Sequence, residues 1–240
     1  MARLLNWPTG LGIRAWQPLS GPRAVGAGSS TSIGGLTQTV ASPFGGWAYG
    51  FTFPVCKDQA ARRLRGWVTG MHGGANATRV PFHDADGLTF GEAGVNYSAS
   101  LIRFGNSWAN GAVWTTGAGW AASLPVVPVA LSAAKGATVV SLASSFWGHS
   151  LGEGDFFGFC PLHLGKYTVT EVIAPGIYRI WPPLRKAITP SDRATLNPVL
   201  AMRMTGEDAA SLSRGLGHME ETTVTLFEVF DDDVRDYFTD

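Results

Sequence analysis

The sequence predicts a mainly β protein: a β-sandwich with one flanking helix, plus a barrel-like second β unit. Three observations carry this. Short apolar runs with alternating polarity recur about every ten residues, separated by Gly, Pro and Asn turns, the spacing of sandwiches and barrels. One stretch changes to the 3.6-residue period of an amphipathic helix. Finally, 31 glycines and 14 prolines punctuate the 240 residues without a G-X-Y period, which excludes collagen. With 45% hydrophobic and 15% charged residues, a chain of this length can bury a sizeable core, which argues against intrinsic disorder.

Residues 1–30 are rich in Gly, Pro and Ser with little periodicity and read as an extended arm. Leu36–Val40 and Trp47–Phe53 alternate, with Pro43, Gly45 and Gly46 between them, so they read as strand, turn and strand with aromatic residues pointing inward. Over 57–71, Ala60, Leu64, Trp67, Val68 and Met71 form one helix face, and Lys57, Arg62, Arg63 and Arg65 fall largely on the other. Gly73 and Gly74 stop this helix. Asn76–Phe82 reads as a strand whose Pro81 assigns it to an edge or a strand end.

Residues 85–123 read as a long loop or weak hairpin. They are densest in Gly and Trp at 105–120, a length usually reserved for function or an interface. From Leu124 onward, strands are expected at 126–131, 137–142, 167–172, 177–181, 196–204 and 222–230, and another apolar patch starts at Phe156–Phe159. Turns fall at 133–136, 152–155 and 174–176, and Pro182–Pro183 closes a strand. In the last strand Val224, Leu226 and either Phe227 or Val229 alternate. The expected division assigns 1–123 and 206–240, with helix 57–71, to the sandwich and 124–205 to the barrel-like unit.

Lys+Arg and Asp+Glu are 18 each, which disfavours a wholly basic nucleic-acid binder. The balance conceals a division. Residues 1–120 carry nine basic and four acidic side chains, net +5; residues 121–240 carry nine and fourteen, net −5. Fourteen of the 18 basic side chains are arginine, the cation favoured at interfaces for its planar fork. Opposite signs on the two halves suit a subunit that packs positive against negative on its neighbours. Asn6, Pro8 and Gly10 interrupt any apolar leader, and no run reaches the ~18 residues of a spanning helix. Cys56 and Cys160 are expected as unlinked thiols formed in a reducing cytosol.

The search for chemistry yields no catalytic, cofactor-binding or metal-binding assignment. H-E-x-x-H, Walker A and C-x-x-C motifs are absent. His83, Asp84 and Asp86 could offer metal ligands but read as a solvated turn. Cys160 and His163 place a nucleophile and a base three residues apart, yet Cys160 follows the apolar run Phe156–Phe159 and reads as buried and inert. Gly34–Gly35 and Gly45–Gly46 lack the helix and lysine of a phosphate loop and read as turns. Asp231–Asp233 reads as a solvated terminus.

The order of three features resembles distal tail proteins, a class of minor tail proteins of long-tailed bacteriophages. These are the strand pair in 36–53 followed by helix 57–71 and the strand Arg79–Phe82; the strands within 128–142 followed by Gly154–Asp155–Phe156; and Gly176–Arg185 followed by Met202–Met204. The resemblance spans about 36–230 and implies a tail-tube-like β-sandwich beside a barrel. It also implies a non-enzymatic structural virion protein at the distal end of the tail. Such a subunit would form a homo-oligomeric ring, with a hexamer as one candidate, joining the tail tube protein to the tail-tip hub protein in the baseplate. It implies assembly in the host cytoplasm, no membrane, no cofactor, and DNA only in transit through the lumen. The rival is a carbohydrate-binding β module whose Trp-rich loops, 105–120, stack on sugar rings.

Overall fold

In the computed structural model the chain has a mainly β, sandwich-like fold with one flanking α-helix and a second unit closed into a barrel. The structure describes residues 2–18, 28–35, 37–40, 45–95, 97, 111–112, 114–115, 120, 124–160, 163–206, 210, 212–230 and 238–239. Most of the Gly/Trp segment 105–120 and the Asp231–Asp233 run lie outside them.

The larger unit is built on a seven-stranded sheet. The order is β15 (Phe238–Thr239), β1 (Ala2–Asn6), β6 (Ala77–Pro81), β13 (Val199–Met204), β14 (Thr222–Glu228), β5 (Ala48–Phe53) and β2 (Ala15–Pro18). β1 runs parallel to both β6 and β15, and the remaining pairs are antiparallel. Alternation in β5 and β14 directs Tyr49, Phe51, Phe53, Val224 and Leu226 into one core. The side chain at Val229, rather than at Phe227, is the buried one at the end of β14.

Helix α1 (Asp58–Gly70) covers this core with Leu64 and Trp67, and Met71 follows them inward. Its arginines 62, 63 and 65 face outward as expected. Asp58 in the first turn complements the helix dipole. A short 3-10 turn, His72–Gly74, ends the helix. At Gly74 φ is +99° and an added Cβ would lie 2.2 Å from the Met204 carbonyl oxygen, so only glycine allows the turn to sit against β13.

The second unit is a closed antiparallel barrel in the order β10 (Tyr167–Ala174), β11 (Ile177–Trp181), β8 (Val139–Leu142), β7 (Val127–Leu131), β12 (Arg193–Thr195) and β9 (Phe156–Cys160). Closure leaves no free edge. Its interior is filled by residues including Val127, Val140, Leu142, Trp147, Phe157, Tyr167, Tyr178 and Ile188.

Several expectations are corrected. β5 does not pair with the strand before it. β4 (Thr37–Val40) pairs with β3 (Gly28–Thr31) in a separate two-stranded ribbon, whereas β5 lies between β14 and β2. The N-terminal segment is not wholly an irregular arm, because β1 and β2 both join the sheet. The strand expected at 196–204 begins at Val199, as β13, and lies at the centre of the large sheet instead of in the barrel; the barrel is completed by β12, just before it, which was not expected. Leu88, Phe90, Ala93 and Val95, expected with the sandwich, pack on the barrel core. Pro81 ends β6, but β6 is an interior strand, so the strand-end alternative is the one realised.

Candidate functional site

The two units meet along a seam that contains both apolar rings and buried charge. Trp16 on β2, Trp47 and Tyr49 at β5, and Phe82 after β6 approach from the sheet. Phe156 on β9 and Trp181 at the end of β11 approach from the barrel. Trp47 and Trp181 meet edge to face with ring centroids 5.2 Å apart, and Phe82 meets Phe156 at 5.7 Å.

Lys166, immediately before β10, projects into this cluster and is fully buried. Its Nζ lies 3.5 Å from the ring centroids of both Phe82 and Phe156 and 4.3 Å from that of Trp47. Nζ donates to the Tyr49 hydroxyl at 2.5 Å, and the Trp47 indole N–H donates to the Lys166 carbonyl at 2.9 Å. Ring faces attract the cation but do not replace its lost hydration. Burial therefore lowers the Lys166 ammonium to about 7, against the pull of Asp84 and Glu228. Burial also pushes the Tyr49 phenol far above its ordinary range.

Beside it lies a buried ion pair. Arg185 Nη2 donates to Glu228 Oε2 at 3.0 Å and Nε to Oε1 at 3.3 Å, a two-pronged arrangement. Arg185 also donates to the Gly45 carbonyl and lies 4.4 Å from the centre of the Phe230 ring. The Trp47 backbone N–H donates to Glu228 Oε2 at 2.9 Å. Burial pushes the Glu228 carboxyl up, opposed by Arg185, the Trp47 N–H and Lys166. The Arg185 N–H donates to the Tyr167 hydroxyl at 2.9 Å, and that hydroxyl meets His163 Nε2 at 2.6 Å.

His163 is thus engaged by Tyr167, whose ring fills the barrel interior. Burial raises the Cys160 thiol, the wrong direction for a nucleophile. Asp84 Oδ1 accepts the Asp86 N–H at 3.2 Å, the hydrogen bond of a local turn. No group of three or more metal-ligating side chains occurs among the described residues. Gly34 and Gly35 lie in the β3–β4 turn, and Gly45 provides the carbonyl that Arg185 uses. Sequence reasoning missed Lys166, Arg185 and Glu228. The one available signal was their residue type, and nothing in their spacing distinguishes them from surface charges. Both cysteines are free.

The exterior carries several features of another kind. Leu131 on β7, Val139 on β8, and Val172 and Ile173 on β10 are exposed on the barrel, with Phe146 nearby in sequence to β8. Trp114 and Trp120, about half exposed, pack edge to face at 5.7 Å. A cavity of about 620 Å³ lies between the 83–97 segment and the barrel, lined by Phe90, Tyr97 and Phe156 together with His83, Asp84 and Asn197. No helix among the described residues is long and apolar enough to cross a membrane. No protein-family model matches the chain, and no curated protein matches it.

Proposed function

We propose that this chain is a structural subunit of a bacteriophage tail tip, a distal tail protein whose copies form a ring between the tail tube and the tail-tip hub. The observation that carries the reading is the pairing of a helix-flanked β-sheet with a closed β-barrel, the two-unit architecture that the resemblance implies. A subunit under mechanical load needs its units fixed together, and a seam made of stacked rings and a two-pronged ion pair does this. It also needs surfaces for its neighbours. The exposed apolar side chains of the barrel wall, the outward arginines of α1 and the separate β3–β4 ribbon, with fully exposed Ile33 at its turn, are material for such contacts. The +5 and −5 halves favour unlike faces meeting, the heterologous geometry that closes into rings.

Light scattering after size exclusion, with negative-stain microscopy of the same fractions, tests this. The expected result is a closed ring of several subunits. A strict monomer at high concentration, absent from purified virions, overturns it. The edge-to-face Trp114–Trp120 pair favours a second reading, a carbohydrate-binding module. Calorimetric titration with oligosaccharides decides for that reading if binding is present in the wild type and lost in Trp114→Ala.

A further inference from the structure

A cavity of about 420 Å³ opens between the first half of α1 and residues 212–219, away from the seam. Among the described residues, Lys57, Arg62, Arg65, Arg214 and His218 line it, against a single acid, Asp58. Three guanidinium groups and one ammonium therefore surround one concave space in a chain whose net charge is zero. Helical spacing accounts for part of this, because positions 58, 62 and 65 share one face. The rest comes from a long-range pairing. The Cys56 N–H donates to the Met219 carbonyl at 3.0 Å, and the Met219 N–H donates to the Cys56 carbonyl at 2.8 Å. That bridge brings Arg214 and His218 to the wall opposite the helix.

Among the described residues the ion pairs are Arg14–Glu221, Arg179–Glu171 and Arg185–Glu228, and none of the four cations takes part in them. Glu221, close by in sequence, is already held by Arg14. Arg63, on the same helix, behaves differently: it donates to the Thr9 carbonyl at 2.8 Å and faces another part of the surface. The convergence is therefore specific to the cavity. Cys56 contributes no negative charge, because burial raises its thiol.

We propose that this cavity is a binding site for a phosphate-bearing anion, seated between Arg62, Arg65 and Arg214. Planar guanidinium forks match phosphate oxygens two at a time, and unpaired cations facing one another across a cavity are relieved by a polyanion. The volume suits a nucleotide or oligophosphate, or a short stretch of nucleic-acid backbone, rather than one small ion. The site is independent of whether the chain forms a ring.

Titration of the full-length protein with pyrophosphate, ATP and a single-stranded oligonucleotide, each at low and at moderate salt, tests the proposal. We expect saturable binding of at least one phosphate probe, weakening as salt rises. The Arg62→Gln/Arg214→Gln double variant should lose at least tenfold in affinity with an unchanged melting curve, since both side chains lie at the surface. ATP binding that exceeds oligonucleotide binding per phosphate assigns a free nucleotide, and the reverse assigns a nucleic-acid backbone. A poly-aspartate peptide that binds where every phosphate probe fails overturns the proposal. So does phosphate binding that survives the double substitution, or no binding at millimolar probe.

Discussion

The seam buries two cations within one interface, and it treats them differently. Arg185 retains a carboxylate, Glu228, in a two-pronged contact, and the neighbouring Trp47 N–H shares the negative charge. Lys166 has aromatic faces and one hydroxyl. The guanidinium is thus held by an opposite charge, whereas the ammonium is driven down to about 7 by burial. The lesson is that an aromatic enclosure stabilises a buried ammonium less than a carboxylate stabilises a guanidinium. One half of the seam is a fixed electrostatic clamp, and the other can lose its proton near neutrality.

The clamp should fail hardest. Arg185→Met leaves Glu228 buried without its partner, and the expected cost is about 3–5 kcal/mol in urea unfolding. Glu228→Gln, which strands the guanidinium instead, should cost a similar amount. Arg185→Met combined with Glu228→Leu should recover much of the loss, because apolar side chains of comparable size avoid desolvation altogether. A single-variant cost below about 1 kcal/mol would remove the contrast with Lys166.

The Lys166 half is tested by pH. A free lysine keeps its proton to about 10.4, and the folded one releases it near 7. Between those values the unfolded chain binds more protons, so stability should rise with pH from about 7 to about 10. The slope from this group is at most about 1.4 kcal/mol per pH unit. Tyr49 acts in the opposite sense at higher pH, since its raised phenol stays protonated while the unfolded one ionises. The gain should therefore level off near pH 10. Lys166→Met should flatten the rise over 7–10 and leave the protein near its high-pH stability. A wild-type profile already flat over that window would show that the ammonium keeps its proton in the seam.

These features differ in how far the sequence exposes them. The helix was legible because Leu64, Trp67 and Met71 repeat at helical spacing and two glycines follow. The β10–β11 hairpin was legible because alternation flanks Pro175–Gly176. Both depend on neighbours in the chain. β1 and β2 were not legible: ARLLN and AWQP are too short to show a period, and their partners are β6 and β5, tens of residues away. The ribbon was misassigned for the same reason, since β5 alternates correctly but says nothing about which strand lies beside it. Lys166 reads as a surface residue between Gly165 and Tyr167, because its enclosure comes from positions 16, 47, 49, 82 and 156. The basic cavity was half visible, in Arg62 and Arg65 on the outer helix face. Arg214 and His218 reach it only through the Cys56–Met219 bridge.

The smallest effect separates burial from geometry. Arg179 and Glu171 face each other across β11 and β10 and form an ion pair of 2.7 Å, shorter than either Arg185–Glu228 contact. If distance decided strength, this pair would be the stronger. Both side chains are about half exposed, so water and salt screen them and ordering them costs side-chain entropy. A double-mutant cycle with Arg179→Ala and Glu171→Ala should give a coupling of about 0–1 kcal/mol that shrinks in 1 M salt. The same cycle at Arg185 and Glu228 should give several times more and respond little to salt, since water does not reach either group. Equal couplings, or equal salt responses, would mean that the contact distance and not the seam's exclusion of water sets the strength of the clamp.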